Sequence, residues 1–590
     1  MKKILLLSLL CITLYSAPAQ LAYTIDSTSF SALTLDGGVV EIEFADINQD
    51  HHPDIISIGD HGSPFINTNQ HGITVFFGNG TNTGWSLYQT GDFGYGGIAA
   101  GDLNNDQLMD VAYGMHHDYS STDFGDQLIE AALGNGTGMN WTPWDDSLAT
   151  NGETYGMFGT EVGDVDNDGW LDISSNSFGC CAGVHVYKNL GTGAWEQTFG
   201  FVGGNTSHYM QFGDLNHDGN LDFAVCNQYG APYFGDGAGN FVLKHNNLPP
   251  VGNYSYIDVS TGDIDNDGDD DFAFIAGGVP YIYKWNDAAQ QWINSSTGLS
   301  GTSMYCSRLA DLDVDGNMDL VTIGGLGLQI WKGNGGVSWI NLLTYPLPGL
   351  TIGRDLTIAD ADHNGYPDIL TMADYSTGLF SHINKLKLFK ENSTASALNI
   401  TSLFPKGYEC FPNNAVRFIQ WVCAVPGNHN STVRIELSTA GAAGPWTLIE
   451  AAAPNNGKYQ WTVPSAVSSS DCFLRLIAID SVTMITDTSL NANKFQIGIC
   501  NPTLDVAENS VLQDELVVAP NPFHTSAILF SSLKNCSLMM TDITGKAVQP
   551  VVKVKQFPFT VSCNNLAPGV YLLHVQKEDG TFSRMKLMVD

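Results

Sequence analysis

The chain has 590 residues and a formal net charge of −37. That balance excludes a nucleic-acid binder, because phosphate recognition needs clustered Lys and Arg, and it leaves a solvated acidic surface or many cation sites. Hydrophobic residues reach 43% while charged residues are only 14%, and Gly, Asn, Thr, Ser and aromatics abound; this favours strands joined by tight turns, in three or more units at about 100–200 residues each.

Residues 1–19 read as a secretory signal peptide. Lys2 and Lys3 precede an apolar run from Ile4 to Tyr15, and Ala17-Pro18-Ala19 supplies an A-x-A-type cleavage site before Gln20. Lipidation at Cys11 is the weaker alternative, since Leu10 is a poor residue before a lipidated cysteine. No later stretch holds 18 uninterrupted apolar residues, so no transmembrane segment is expected. Export permits disulfides, and 10 of the 11 cysteines lie beyond the signal, with their pairing left open.

An acidic nine-residue motif then recurs seven times. Loop I is DINQDHHPD, with Asp46, Asn48, Asp50 and Asp54 at positions 1, 3, 5 and 9. Loop II is DLNNDQLMD (Asp102, Asn104, Asp106, Asp110) and loop III is DVDNDGWLD (Asp164, Asp166, Asp168, Asp172). Loop IV is DLNHDGNLD (Asp214, Asn216, Asp218, Asp222) and loop V is DIDNDGDDD (Asp263, Asp265, Asp267, Asp271). Loop VI is DLDVDGNMD (Asp311, Asp313, Asp315, Asp319) and loop VII is DADHNGYPD (Asp360, Asp362, Asn364, Asp368). The starts lie 56, 62, 50, 49, 48 and 49 residues apart. A period near fifty marks a propeller or a solenoid array.

The flanks argue against EF-hands, which need a helix on each side and a bidentate Glu at position 12; in loop III that position is Ser175. Segments such as YSYIDVSTGD before the loop, and LDFAVCN or MDLVTIGG after it, alternate with period two and read as strands. A third strand ends in a turn (VHVYKNLGTG, LQIWKGNGG). A fourth often carries Trp or Phe (AWEQTF, SWINLLT). Four strands in about 50 residues is the size of one propeller blade.

The D-x-[DN]-x-[DN]-G-x-x-D loop between strands, followed by a Phe-Gly or Lys-Asn turn, resembles the FG-GAP (VCBS) repeats of integrin α-subunits and many bacterial surface proteins, over about residues 22–392. The resemblance implies a seven-bladed β-propeller with calcium in the blade loops. It also implies that AYTIDSTSF, near the N-terminus, completes the last blade, so that no sheet edge is left open. The loop chemistry agrees. Calcium takes 6–8 oxygens, and positions 1, 3 and 5 can turn theirs inward. Gly at position 6 permits the turn, position 7 offers its carbonyl (Trp170 in loop III), and Asp at position 9 closes the shell. Up to seven structural calcium sites are expected. Loops I and II, with His51 and Gln107 in place of Gly, and loop VII, with Asn364 and Pro367, are the atypical ones. Asp-rich turns without metal are the alternative, disfavoured by a fixed spacing repeated seven times.

A polar linker (393–399) leads to residues 400–500, where FIQWVCAV, STVRIELSTA, GKYQWTVP and CFLRLIAID read as strands. Phe411-Pro412-Asn413, Trp421, Arg434–Leu437, Trp461 and Cys472–Leu476 resemble an Ig-like or fibronectin-like β-sandwich. Cys410, Cys423, Cys472 and Cys500 are expected to form two disulfides there. After a second linker (501–513), residues 514–590 resemble the C-terminal sorting domain of type IX secretion cargo. The matching residues are Pro520-Asn521-Pro522-Phe523, Asp542-Ile543-Thr544-Gly545-Lys546, Leu566-Ala567-Pro568-Gly569-Val570-Tyr571 and the final strand with Lys586. The resemblance implies handling by the type IX secretion machinery and delivery to the medium or outer surface.

Other candidates carry less. Cys180-Cys181 is a possible vicinal disulfide. Met115-His116-His117-Asp118-Tyr119 and Ser207-His208-Tyr209 are possible sources of a base. Trp85, Trp141, Trp144, Trp195, Trp292 and Trp339 suit blade cores better than sugar stacking. No catalytic or organic-cofactor residues are assigned. The all-β chain is read as a monomeric, secreted or surface-attached calcium protein that binds a glycan or protein. The alternative is a polysaccharide-active enzyme on the same scaffold, and His, Tyr and Arg gathered in the central channel would favour that alternative.

Overall fold

A computed structural model describes residues 21–30, 41–59, 72–115, 124–150, 157–177, 183–201, 206–227, 230–248, 256–378 and 381–500, except 82, 92, 95 and 337. It also describes the strand segments between 517 and 589. Two compact units result, Met1–Pro502 and Thr503–Asp590. Among the described residues the only helical turn is Pro426–Asn428. The signal-peptide segment, His116–Tyr119, Cys180-Cys181 and Pro520–Phe523 lie outside the described residues, as do the side chains of Ser207 and His208.

Among its described residues the first unit contains seven four-stranded antiparallel sheets, one per acidic loop. Sheet III shows the pattern: Met157–Gly163, loop III, Asp172–Ser177, Val184–Asn189 and Trp195–Phe201. In each sheet, position 1 of the loop follows the first strand and position 9 opens the second, as with Ala45/Asp54 in sheet I and Ala359/Asp368 in sheet VII. Strands therefore flank every loop, which rules out EF-hands. Sheet VII takes its fourth strand from the N-terminus, where Tyr23–Asp26 pairs with the strand ending at Glu391. AYTIDSTSF thus supplies the fourth strand of sheet VII, which is the part of the expectation that the pairing bears out.

First strands pack against one another in order from sheet I to sheet VII, and the first strand of sheet VII packs against that of sheet I. Their free edges expose backbone donors that need partners. Polar side chains on or beside the first strands of other sheets supply them. Glu41 Oε2 accepts from the N–H groups of Ile98 and Thr160, both at 3.0 Å, and Glu43 from Ala100 at 2.8 Å. Ser260 Oγ accepts from Leu309 at 2.9 Å, and Asp355 Oδ2 from Ile42 at 2.8 Å. The last of these links sheet VII to sheet I.

Apolar side chains fill the spaces between sheets, as Val165, Val186, Met210, Phe223 and Phe241 do between sheets III and IV. Trp85, Trp141, Trp195, Trp292 and Trp339 are buried and Trp144 is partly buried in these layers. The blade-core reading of the tryptophans holds.

Residues 399–497 form a sandwich. A three-stranded sheet (Asn399–Phe404, Val416–Ala424, Lys458–Thr462) faces a larger one centred on Ser431–Ser438 and Ser469–Asp480. Trp421, Trp461, Phe411 and Phe495 fill its core. Only one of the two expected disulfides forms here. Cys410 bonds Cys500, whereas Cys423 and Cys472 are buried free thiols within the sandwich core. The second unit pairs a three-stranded sheet with a four-stranded one around Leu538, Met540, Val561, Tyr571 and Leu573.

Candidate metal centres

Each loop turns on two left-handed residues. Position 6 has φ between 69° and 97° in all seven loops, and His51 (77°) and Gln107 (69°) adopt it as the glycines do. Position 4 is left-handed as well, from 56° at Val314 to 60° at His217. Asn105, Asn167 and Asn266 suit that conformation, since Asn tolerates φ > 0 better than most residues. Val314 is β-branched and pays about 1–2 kcal/mol. Sequence reasoning placed one turn residue per loop and missed position 4, although its Asn residues are the visible signal.

These turns wrap backbone N–H groups around the position-1 carboxylate. In loop III, Asp164 Oδ1 accepts from Asp168 N–H and Oδ2 from Gly169 N–H, both at 3.1 Å, and loops I, II and IV to VII repeat the pair. The position-9 carboxylate ties the loop to its sheet. Asp172 Oδ2 accepts from Val165 N–H at 2.9 Å and Oδ1 from Asn189 N–H at 2.8 Å. Position 9 is thus a fold clamp as well as a prospective ligand.

Asp164, Asp166 and Asp172, then Asp263, Asp265 and Asp271, then Asp311, Asp313 and Asp315 bring carboxylate oxygens within 4.8 Å of one another. Among the described residues the other four loops do not gather three acidic groups this closely; loops I, II and IV have an amide, Asn48, Asn104 or Asn216, at position 3. Burial, with neighbouring carboxylates, pushes the position-9 groups up: Asp54 and Asp110 to about 8 and Asp319 to about 7. Asp172, Asp222 and Asp271 also rise far above the usual carboxylate range for the same cause.

The donor set fits a hard divalent ion. Asp166, Asp265, Asp313 and Asp362 each leave a buried Oδ1 without a hydrogen-bond partner. A desolvated carboxylate oxygen with no donor is costly unless a cation meets it. Clusters of this kind can hold a metal ion.

The three-stranded sheet of the sandwich sits on these loops. Val416 N–H donates to Asp164 Oδ2 (2.7 Å) and Cys423 N–H to Asp360 Oδ2 (3.2 Å). Gln460 exchanges two hydrogen bonds with the Asp102 backbone, at 2.9 and 3.0 Å. Arg417 Nη2 reaches the Gly219 carbonyl at 2.7 Å and Lys406 Nζ the Gly316 carbonyl at 3.0 Å.

The first strands also enclose a polar cluster. Arg308 donates from Nη2 to Asp355 Oδ1 (2.7 Å) and from Nη1 to Asp258 Oδ1 (3.2 Å), and lies 5.7 Å from the centre of the Tyr209 ring. Glu161 is pushed up to about 8 by burial and by Glu43, against the pull of Arg308 and Lys458. An unfolded Glu titrates near ~4.3, so the native state holds this proton longer and loses stability as pH rises from about 4 to about 8. Glu161→Gln is expected to flatten that decline and to raise the denaturation midpoint at pH 8 relative to the wild type, measured in saturating calcium; an unchanged pH profile would contradict the assignment.

With this geometry in view, residues 46–113, which contain loops I and II, match the family described as FG-GAP-like repeat. Residues 517–590 match the secretion system C-terminal sorting domain. The chain carries an FG-GAP-like repeat and a type IX secretion sorting domain. The sorting domain directs export to the cell surface or medium and implies handling by the type IX machinery. No curated protein matches the chain.

Among solved structures, PorZ of Porphyromonas gingivalis, described as an essential bacterial surface component of the type-IX secretion system, is similar at 12% identity. That match covers 94% of this chain and 81% of PorZ, with a TM-score of 0.23. The fibronectin(III)-like modules of Clostridium thermocellum CbhA match at 11% identity over 32% of this chain and 94% of theirs, TM-score 0.13. A tetra-tandem repeat from the extending region of a large adhesion protein matches at 10% identity over 93% and 99%, TM-score 0.12. Among the described residues, no helix is long and apolar enough to cross a membrane.

Proposed function

We propose that residues 20–392 form a seven-bladed propeller rigidified by calcium in its FG-GAP-type loops. In this reading the sandwich (400–500) and sorting domain (514–590) follow it through linkers at 393–399 and 501–513. The mature protein is a secreted or surface-attached monomer whose ring presents a face to a glycan or protein. The observation that carries this reading is the cyclic packing of seven first strands, each ending in an acidic loop. The ligand set is positions 1, 3, 5 and 9 of loops I to VII, as enumerated from the sequence. The sandwich on the loop side supports binding elsewhere on the ring.

The enzymatic alternative draws on Tyr209 and Arg308, two residues of first strands whose guanidinium and ring centre lie 5.7 Å apart. Both arms of Arg308 are engaged by carboxylates, and burial raises the Tyr209 hydroxyl well above 10, which favours a structural role. A glycan array and a polysaccharide-degradation screen on the full chain, with calcium and with chelator, separate the two. Calcium-dependent binding without product is expected. Product formation abolished by Tyr209→Phe would favour the enzyme instead.

A further inference from the structure

Four lysines vary together with position 3 of the loops. Beside position 9, across the second and third strands, stands Lys188 in sheet III, Lys284 in V, Lys332 in VI and Lys390 in VII. In those loops position 3 is Asp166, Asp265, Asp313 or Asp362, and each lysine pairs with its aspartate. In sheets I, II and IV the same register place holds Phe77, Leu133 or Phe234, and position 3 is Asn.

The exchange keeps the charge level. Counting positions 1, 3, 5 and 9 with the lysine, loops I, II and IV carry three carboxylates and nothing else. Loops III, V and VI carry four carboxylates and one ammonium, so all six have a net charge of −3. Loop VII, with Asn364, is at −2. The two chemistries also do the same local job. Asn48 and Asn104 donate through Nδ2 to Oδ2 of Asp50 and Asp106, both at 3.0 Å. Lys188 and Lys332 reach Oδ2 of Asp168 and Asp315 at 2.9 and 2.8 Å.

The difference lies at Oδ1. In loops I, II and IV the Asn Oδ1 accepts the position-5 N–H at 3.0 Å. In loops III, V, VI and VII the position-3 Oδ1 is buried and has no donor. Side-chain exposure of Asp166, Asp313 and Asp362 is 10%, 6% and 8%.

We propose that Lys188, Lys284, Lys332 and Lys390 are built-in counter-charges. Each one neutralises the extra carboxylate at position 3 from the Oδ2 side and leaves Oδ1 to a divalent cation, so that loops of two sequence types present that cation with one net charge. This rests on the divalent-cation reading of the loops. It makes loop VII the weakest site.

A double-mutant cycle in loop III of the full-length protein tests it, using Asp166→Asn, Lys188→Phe and the pair, which recreates the Asn/Phe combination of loops I and IV. The readouts are the melting temperature in chelator and a calcium titration against a chromophoric chelator. Lys188→Phe is expected to melt lower in chelator and to tighten calcium at that loop by about tenfold, since a cation is removed near a divalent ion. Asp166→Asn is expected to weaken calcium, and the double variant to return both readouts toward wild type. Asp313→Asn and Lys332→Phe in loop VI repeat the cycle should a loop III variant fail to fold. A double variant that melts in chelator as low as Lys188→Phe does, or a Lys188→Phe that leaves calcium affinity unchanged, overturns the proposal alone. A wild-type protein that shows no calcium response overturns the cation reading and this proposal together.

Discussion

Chelation of divalent cations from the full-length protein is expected to lower the melting temperature of the Met1–Pro502 unit by about 10 °C or more, with recovery on adding calcium. A ligand at a hundred times its dissociation constant stabilises by about 2.7 kcal/mol per site, and 1 kcal/mol shifts a domain of 150–250 residues by roughly 2–4 °C. The unit is larger than that and each degree costs more, but as many as seven sites contribute. Without an ion, each loop confines three or four acidic groups, and burial pushes the Asp54, Asp110 and Asp172 carboxyls above their usual range, which opposes keeping them charged. Loss of the ion also reaches the sandwich, because Val416 and Cys423 donate to Asp164 and Asp360 inside loops III and VII. Sandwich and sheets are therefore expected to melt together and at lower temperature in chelator. The Thr503–Asp590 unit has no such loop, and its transition should stay in place, which gives the calorimetric trace an internal control. Magnesium should restore little, since it demands near-ideal octahedral geometry and sheds water reluctantly. A melting curve of the first unit that chelation leaves unmoved would remove the metal reading.

Repetition is what made the sheets legible. One DVDNDGWLD is an ambiguous turn, but seven of them fix where each first strand ends and each second begins, and Asp54 and Asp368 open their strands as that register requires. The N-terminal strand was legible for a topological reason, because the seventh sheet lacked a fourth member. What stayed hidden depends on backbone atoms or on distance. The donors that seat the sandwich on the loops include the N–H groups of Val416 and Cys423, which no side-chain identity reports. The inner clamps Glu41, Ser260 and Asp355 satisfy strand edges whose exposure appears only once first strands face each other. The second disulfide expected among Cys410, Cys423, Cys472 and Cys500 was a count of cysteines, and a count carries no geometry; Cys423 and Cys472 are buried free thiols. The lysine opposite position 9 stands 22 residues from Asp166 in loop III and 19 from Asp313 in loop VI, and only the sheet register brings it there.

Deleting residues 514–590 is expected to abolish appearance of the protein at the cell surface and in the medium, with the truncated chain accumulating in the periplasm. The deleted segment covers the described strands of the second unit and the match to the sorting domain. It has its own core of Leu538, Met540, Tyr571, Leu573 and Leu587, and the Tyr571 hydroxyl donates to the Ala567 carbonyl at 2.7 Å within the Leu566–Tyr571 motif. The sorting segment thus folds around a core of its own, and disrupting that core is expected to act like removing the segment. Leu573→Asp places an unpaired charge among those apolar side chains, at a cost that exceeds what a unit of this size can spare, and is expected to block export as the deletion does. The first unit retains all its sheets and its disulfide in both variants. Its melting transition with calcium and with chelator, measured on material from the periplasmic fraction, should match that of the full chain, so that loss of export is loss of the address and not of the cargo fold. Surface proteolysis of intact cells and immunoblots of fractions read the outcome. Normal surface delivery of the truncated chain would show that the determinant for export lies elsewhere in the sequence.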